Sequence, residues 1–300
     1  MHSPSVCRSL QNPRRRPREG ARKVSSSEAL FIWGAIVCYA ASTVVSLILV
    51  IFQKDKWARF NLWIAAAGVA FHLAALVYRV GVTGHVPVKS DYENALTGSL
   101  FISLPAVLIA ARSRKLLVLP LAVMPLVLFL LGFALVCHEP GSPLTPPYKS
   151  TWLVVHVTFA QLSYGAYSLA FGAGVCHLLK ERRLRRGLDL GMLNRLPDLE
   201  DLDDVMFRFV LLGFVASALM IVAGAFWADA LWGNYWSWDP VETWSLLSWI
   251  VYGLIIHLRV VHNWRGKRIA RLVVFAIIFV LISFWGVNFL ASTQHDFSAL

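Results

Sequence analysis

The residues best suited to chemistry in this chain crowd into one stretch, Trp232-Gly233-Asn234-Tyr235-Trp236-Ser237-Trp238-Asp239-Pro240-Val241-Glu242-Thr243-Trp244. Trp and Tyr are enriched wherever a helix meets a membrane surface, but such a belt spreads them over many helix ends. Clustered around Gly233, Asp239 and Glu242, they make a platform for a large, flat, apolar ligand with polar edges. Histidines supply the complement. His156 and His295 fall near helix ends on the side of the tryptophan loop, and a neutral imidazole is a common metal ligand. Two of them flanking an aromatic shelf suit the bis-histidine iron of a haem. His257 lies in a different place, deep in an apolar run roughly 21 Å below the outer helix end at ~1.5 Å per residue. Gly253 and Trp249 precede it on the same face, so the pattern predicts a gap beside its imidazole. An ionisable group at that depth is a functional candidate, and two sites at two levels are expected. His72 is equally compatible with a structural hydrogen bond. His85, His138, His177 and His262 are read as solvated or interfacial.

These residues have to be positioned by membrane-spanning helices. The 300 residues are 57% hydrophobic and only 15% charged, whereas soluble domains carry about a quarter charged residues. Apolar runs recur along the whole chain, which excludes a cleaved signal peptide on a soluble enzyme. The expected fold is all-α, a polytopic transmembrane bundle of about eight spans, near 29–52, 60–80, 94–111, 115–137, 151–179, 205–228, 243–262 and 269–291. Residues 29–300 then form one membrane domain, with the tryptophan-rich loop at 228–243. Residues 1–28 form a basic tail.

The net charge of +11 suits loops that face anionic lipid and requires no nucleic acid. Lys54, Lys56 and Arg59, then Arg112 to Lys115, Lys180 to Arg195 and Arg259 to Arg271 all fall on one side of the eight spans. The other side has only Lys89 and Lys149. The first side is therefore expected to be cytoplasmic and the tryptophan loop periplasmic. The tail, with Arg8, Arg14, Arg15, Arg16, Arg18, Arg22 and Lys23, conflicts with an exported N-terminus. Either there are seven spans, or translation starts later, for instance at Val24. The cysteines Cys7, Cys38, Cys137 and Cys176 include no C-x-x-C pair, so zinc, iron–sulfur and dithiol chemistry are not expected.

Trp232-Gly233-x-x-Trp236-x-Trp238-Asp239 resembles the tryptophan-rich motif of the haem-handling membrane proteins of cytochrome c maturation. Asp239-Pro240-x-Glu242-Thr243-Trp244, followed by Tyr252 and His257-Leu258-Arg259, is similar to the CcsA (ResC) family of System II. The similarity extends from Gly84-His85-x-Pro87 and Tyr92-Glu93 through Trp152-Leu153-x-x-His156 to Val287-Asn288-x-Leu290 and His295. The resemblance implies haem b as the bound group, with His156 and His295 as outer axial ligands and Trp232, Gly233, Trp236, Trp238, Asp239 and Glu242 around it. It also implies His257 as an inner ligand shared with a histidine of a CcsB (ResB) subunit. The remaining implied partner is an apocytochrome c with a C-x-x-C-H segment, in a bacterial inner membrane or, for a plastid-encoded chain, a thylakoid membrane. The implied role is to bring haem to the outer face for thioether attachment. The alternatives are CcmC-like delivery to a chaperone and non-catalytic haem transport.

Overall fold

The computed structural model describes residues 26–52, 57–112, 119–141, 144, 146–190, 193–194 and 196–286. The basic tail and His295 lie outside them. Among the described residues eight α-helices follow one another: α1 (Ser26–Phe52), α2 (Ala58–Thr83), α3 (Asp91–Arg112), α4 (Leu119–Val136), α5 (Thr151–Arg185), α6 (Leu199–Trp232), α7 (Pro240–Val260) and α8 (Lys267–Leu281), the last widening into a π turn at Ile282–Gly286. On length and hydropathy α1, α2, α3, α6 and α7 suffice to cross a membrane. The chain is a multi-pass membrane protein. α4 keeps a shorter apolar run, Ala122–Val136.

α5 and α6 overrun their predicted spans for a reason visible in their sequences. α5 ends with Arg182, Arg183 and Arg185 and α6 begins with Glu200 and Asp201. Cations at a helix C-terminus and anions at an N-terminus complement the macrodipole, so both helices continue as solvated turns beyond the apolar segment.

The helices pack as two halves. Ile32, Tyr39, Leu96, Val127 and Leu131 anchor the core of α1–α4, and Tyr167, Met206, Tyr252, Ile269 and Val273 that of α5–α8. Tyr252, part of the motif above, stacks on Tyr167 with ring centroids 3.5 Å apart and so belongs to this core. The halves meet where α5 crosses α3. Lipid tails are as apolar as leucine, so helix association there depends on close packing of small residues. Gly165 illustrates this: a Cβ on it would sit 2.6 Å from the Phe101 carbonyl oxygen of α3.

Polar side chains fasten both ends of the bundle. At the end shared with the tryptophan loop, Arg79 of α2 is buried. Its Nε donates to Glu93 Oε1 of α3 at 3.0 Å, its Nη1 donates to the Glu139 carbonyl at 2.9 Å, and Nη1 lies 3.7 Å from Glu28 Oε1 of α1. Tyr92 donates to the same Glu28 oxygen at 2.6 Å. At the opposite end Arg259 of α7 pairs with Asp203 of α6, whose other oxygen accepts the Gly266 N–H at 2.9 Å and so holds the start of α8. Removing one partner of a buried pair leaves the other charge uncompensated, at a cost of roughly 3–5 kcal/mol. Arg79→Gln is accordingly expected to lower the melting temperature in detergent clearly, whereas Arg185→Gln, at an exposed pair, is expected to leave it unchanged.

Candidate functional site

The tryptophan loop is shaped by the ends of the two helices it joins. Gly233 takes φ +70° and its N–H donates to the Asp229 carbonyl at 2.9 Å, which ends α6 in the left-handed cap that glycine adopts without a Cβ penalty. Six residues later Asp239 starts α7. Its Oδ1 accepts the Val241 N–H at 2.9 Å, Pro240 fills the first helical position, and Glu242 completes a capping box. Glu242 Oε2 accepts the Asp239 N–H at 3.2 Å and also the Ser237 N–H at 2.9 Å. Asp239 and Glu242, expected as ligand contacts, are thus first of all a clamp on the backbone that carries Trp236 and Trp238.

That clamp holds Trp238 at φ +59°, a left-handed conformation that is a true outlier for a bulky side chain. Its indole is 69% exposed and meets Trp236 edge-on, with centroids 5.7 Å apart. Strain of this kind costs of order 1–3 kcal/mol and persists only where surrounding contacts enforce it. Trp238→Gly is therefore expected to raise thermal stability in detergent, because glycine takes this φ without a Cβ penalty. A variant less stable than the parent would show that the indole itself supports the fold.

Beneath the loop lies a shallow open cleft lined by His156, Gly224, Tyr235, Trp236, Glu242 and Ser245 among others. His156 of α5 is held against α6: its Nδ1 stands 2.8 Å from the Met220 carbonyl oxygen. A carbonyl only accepts, so Nδ1 carries the proton and the acceptor lone pair belongs to Nε2. This is the tautomer of a metal-ligating imidazole oriented by a backbone carbonyl. Gly224 makes the approach possible, since a Cβ there would lie 2.7 Å from Nδ1 and 3.0 Å from Cε1. Trp227, buried and donating from Nε1 to the Pro147 carbonyl at 3.1 Å, backs the imidazole with ring centroids 6.3 Å apart. Trp232 leans on Trp227 at 5.9 Å. An outer shelf continues through Tyr235 on Phe226 and Phe226 on Trp152. A cradled imidazole with aromatic side chains beside it is the donor set that haem iron and a porphyrin face would use.

The structure thus brings together His156, Trp236 and Glu242, with Gly233 and Asp239 shaping the loop, Trp232 behind it and Trp238 at its rim. His295 falls outside the described residues. His257 is at the other end of the bundle, in the last turn of α7. The gap predicted beside it is absent, because Phe214 of α6 fills the space at Gly253, where a Cβ would lie 3.1 Å from Phe214 Cε2. Phe214 in turn stacks on Trp249 at 4.8 Å. The imidazole of His257 is instead exposed on the outer face of α7, with Ile250, Leu254 and Val261. His72 is fully buried with Nε2 2.8 Å from the Leu96 carbonyl oxygen, a structural histidine. His177 also proves buried rather than interfacial. Sequence reasoning missed Met220, Gly224 and Trp227, whose roles depend on the pairing of α5 with α6. The only sequence hint was a glycine in the middle of an apolar helix.

Residues 91–295 match the family model described as cytochrome C assembly protein. The cytochrome c biogenesis protein CcsA of Prochlorococcus marinus (strain MIT 9215) is 33% identical over 247 residues, covering 74% of this chain and 79% of that one. This chain belongs to the CcsA family. The CcsA of Parasynechococcus marenigrum (strain WH8102) is 32% identical over 248 residues, covering 74% of this chain and 81% of its own length. Among solved structures, the cytochrome c heme lyase CcmF superposes with a TM-score of 0.66 over 91% of this chain at 16% identity. That likeness establishes a common fold. This CcsA-family chain corresponds to 48% of CcmF, about half its length.

Proposed function

We propose that this chain handles haem b in cytochrome c maturation, presenting it at the outer membrane face for attachment to an apocytochrome. The observation that carries the proposal is His156, seated on Gly224 and oriented by the Met220 carbonyl in a cleft roofed by Trp236. His156 and His295 would be the outer axial ligands and His257 an inner ligand shared with a CcsB (ResB) subunit. The exposure of His257 among apolar side chains supports such sharing. The tryptophan loop would face the periplasm of a bacterial inner membrane, or the lumen of a thylakoid for a plastid-encoded chain.

Haem carries anionic propionates and an apolar ring, so its passage through the hydrocarbon centre is costly unless protein shields the charges. At the outer cleft each vinyl group would meet a cysteine thiol of the C-x-x-C-H segment. The S–H adds across the C=C bond, sulfur to one carbon and hydrogen to the other, with nothing oxidised or reduced overall. The chain supplies no nucleophile. Its contribution is position: the imidazole holds the iron while the clamped indoles set the ring against the incoming peptide.

Coexpression with CcsB and an apocytochrome c tests this reading. It predicts covalent haem on the apocytochrome, detected after denaturing electrophoresis, only when this chain is present. Haem that reaches the outer face but stays noncovalent would make the chain a transporter.

A further inference from the structure

At the membrane face opposite the tryptophan loop, a second open cleft of about 610 Å³ forms where the ends of α5 and α7 meet the start of α8. Its charge is lopsided. Glu181 is shared by Arg185 and Lys267, each at 3.4 Å. No carboxylate among the described residues pairs with the exposed Arg265, Arg268 or Arg271. Two of the cations, Lys267 and Arg268, occupy the first turn of α8, which has no acidic residue. The helix dipole is positive there, so cations are disfavoured and an anion is favoured.

Basic charge alone would suit a lipid phosphate. Two further features narrow the chemistry. Trp264 lines the same cleft, with the Arg268 guanidinium 5.6 Å from its ring centroid. His262 lines it too, and its ring centroid is 5.5 Å from that of His257. Arginines for carboxylates, an indole for a flat ring and an imidazole for a metal together describe a metalloporphyrin with acidic side chains.

We infer that this cleft is the haem-loading station. The propionates are held by Arg265, Arg268 and Arg271, and His262 takes the iron before His257 does. The inference rests on the haem-handling reading above and adds the door through which the cargo arrives. It also gives Asp203 a purpose, since its bond to the Gly266 N–H fixes the start of α8 beside His262.

The test uses the full chain in nanodiscs of phosphatidylcholine, titrated with haem and with haem dimethyl ester, which lacks the propionate charges. Haem is expected to bind at least tenfold more tightly than the ester. The triple variant Arg265→Gln, Arg268→Gln, Arg271→Gln is expected to abolish that preference, and His262→Ala to slow the appearance of the His257-ligated spectrum several-fold at an unchanged end point. Equal binding of haem and ester, or wild-type loading by the triple variant, would overturn the loading station. So would a triple variant that loses only phosphatidylglycerol binding, which would make the cluster a lipid contact. If the inference alone fails, haem still reaches the outer cleft and is lost in His156→Ala. If the wild-type chain takes up no haem, both readings fall.

Discussion

Gly224→Leu should empty the outer cleft of haem as thoroughly as His156→Ala, although residue 224 offers no atom to the iron. The spacing already leaves a Cβ only 2.7 Å from His156 Nδ1. The side chain of leucine would occupy the space in which the ring lies, and the bond to the Met220 carbonyl that orients it would break. Loss of an outer-shell partner of a metal-ligating histidine typically costs 10–100-fold in affinity, and here the imidazole proposed as ligand would be displaced as well. Haem occupancy should therefore fall at least tenfold in both variants, measured by absorbance per protein after purification. Added imidazole should restore loading to His156→Ala, which leaves a vacant ligand position, and not to Gly224→Leu, which fills it. Normal occupancy in Gly224→Leu would mean that the imidazole is not used in this orientation.

The second large effect concerns Asp239 and separates two roles for it. If its negative charge contacts the cargo, Asn and Ala should be equally damaging. If it caps α7, Asn should be tolerated, since Asn and Asp serve about equally at an N-cap, while Ala should cost about 1–2 kcal/mol. That cost corresponds to roughly 5–30-fold in the population of the ordered loop. We expect cytochrome c assembly to be near normal in Asp239→Asn and strongly reduced in Asp239→Ala, with equal amounts of both proteins in the membrane. Glu242→Ala should resemble Asp239→Ala, because Oε2 of Glu242 holds both the Ser237 and the Asp239 N–H groups. Equal loss in Asn and Ala variants would return Asp239 to the cargo.

These two cases show where sequence is informative. The helices were legible because an uncharged apolar run of sufficient length has few alternatives in lipid. The loop was legible because three tryptophans between two such runs, with a fourth at the start of the second, are improbable as packing. Asp239-Pro240-x-Glu242 carries the local signature of a helix start. The same carboxylates beside an aromatic platform also look like ligand contacts, and only the hydrogen bonds distinguish the two. Gly224 was beyond reach, because its partner His156 lies in another helix and its effect is measured in tenths of an ångström. The expected gap at Gly253 failed for the same reason. The helical repeat puts Gly253, Trp249 and His257 on one face, but it does not reveal that Phe214 of α6 occupies the space.

His156 is the residue proposed to hold the iron of a haem beneath the tryptophan loop. The most direct test is the reduction potential of haem bound to His156→Met. Exchange of an axial imidazole for a thioether raises the potential of a six-coordinate haem. The variant is predicted to retain haem at a clearly higher potential than the parent protein, measured by redox titration of the purified chain. An unchanged potential at full haem occupancy would contradict the account, because the iron would then be held by something other than residue 156.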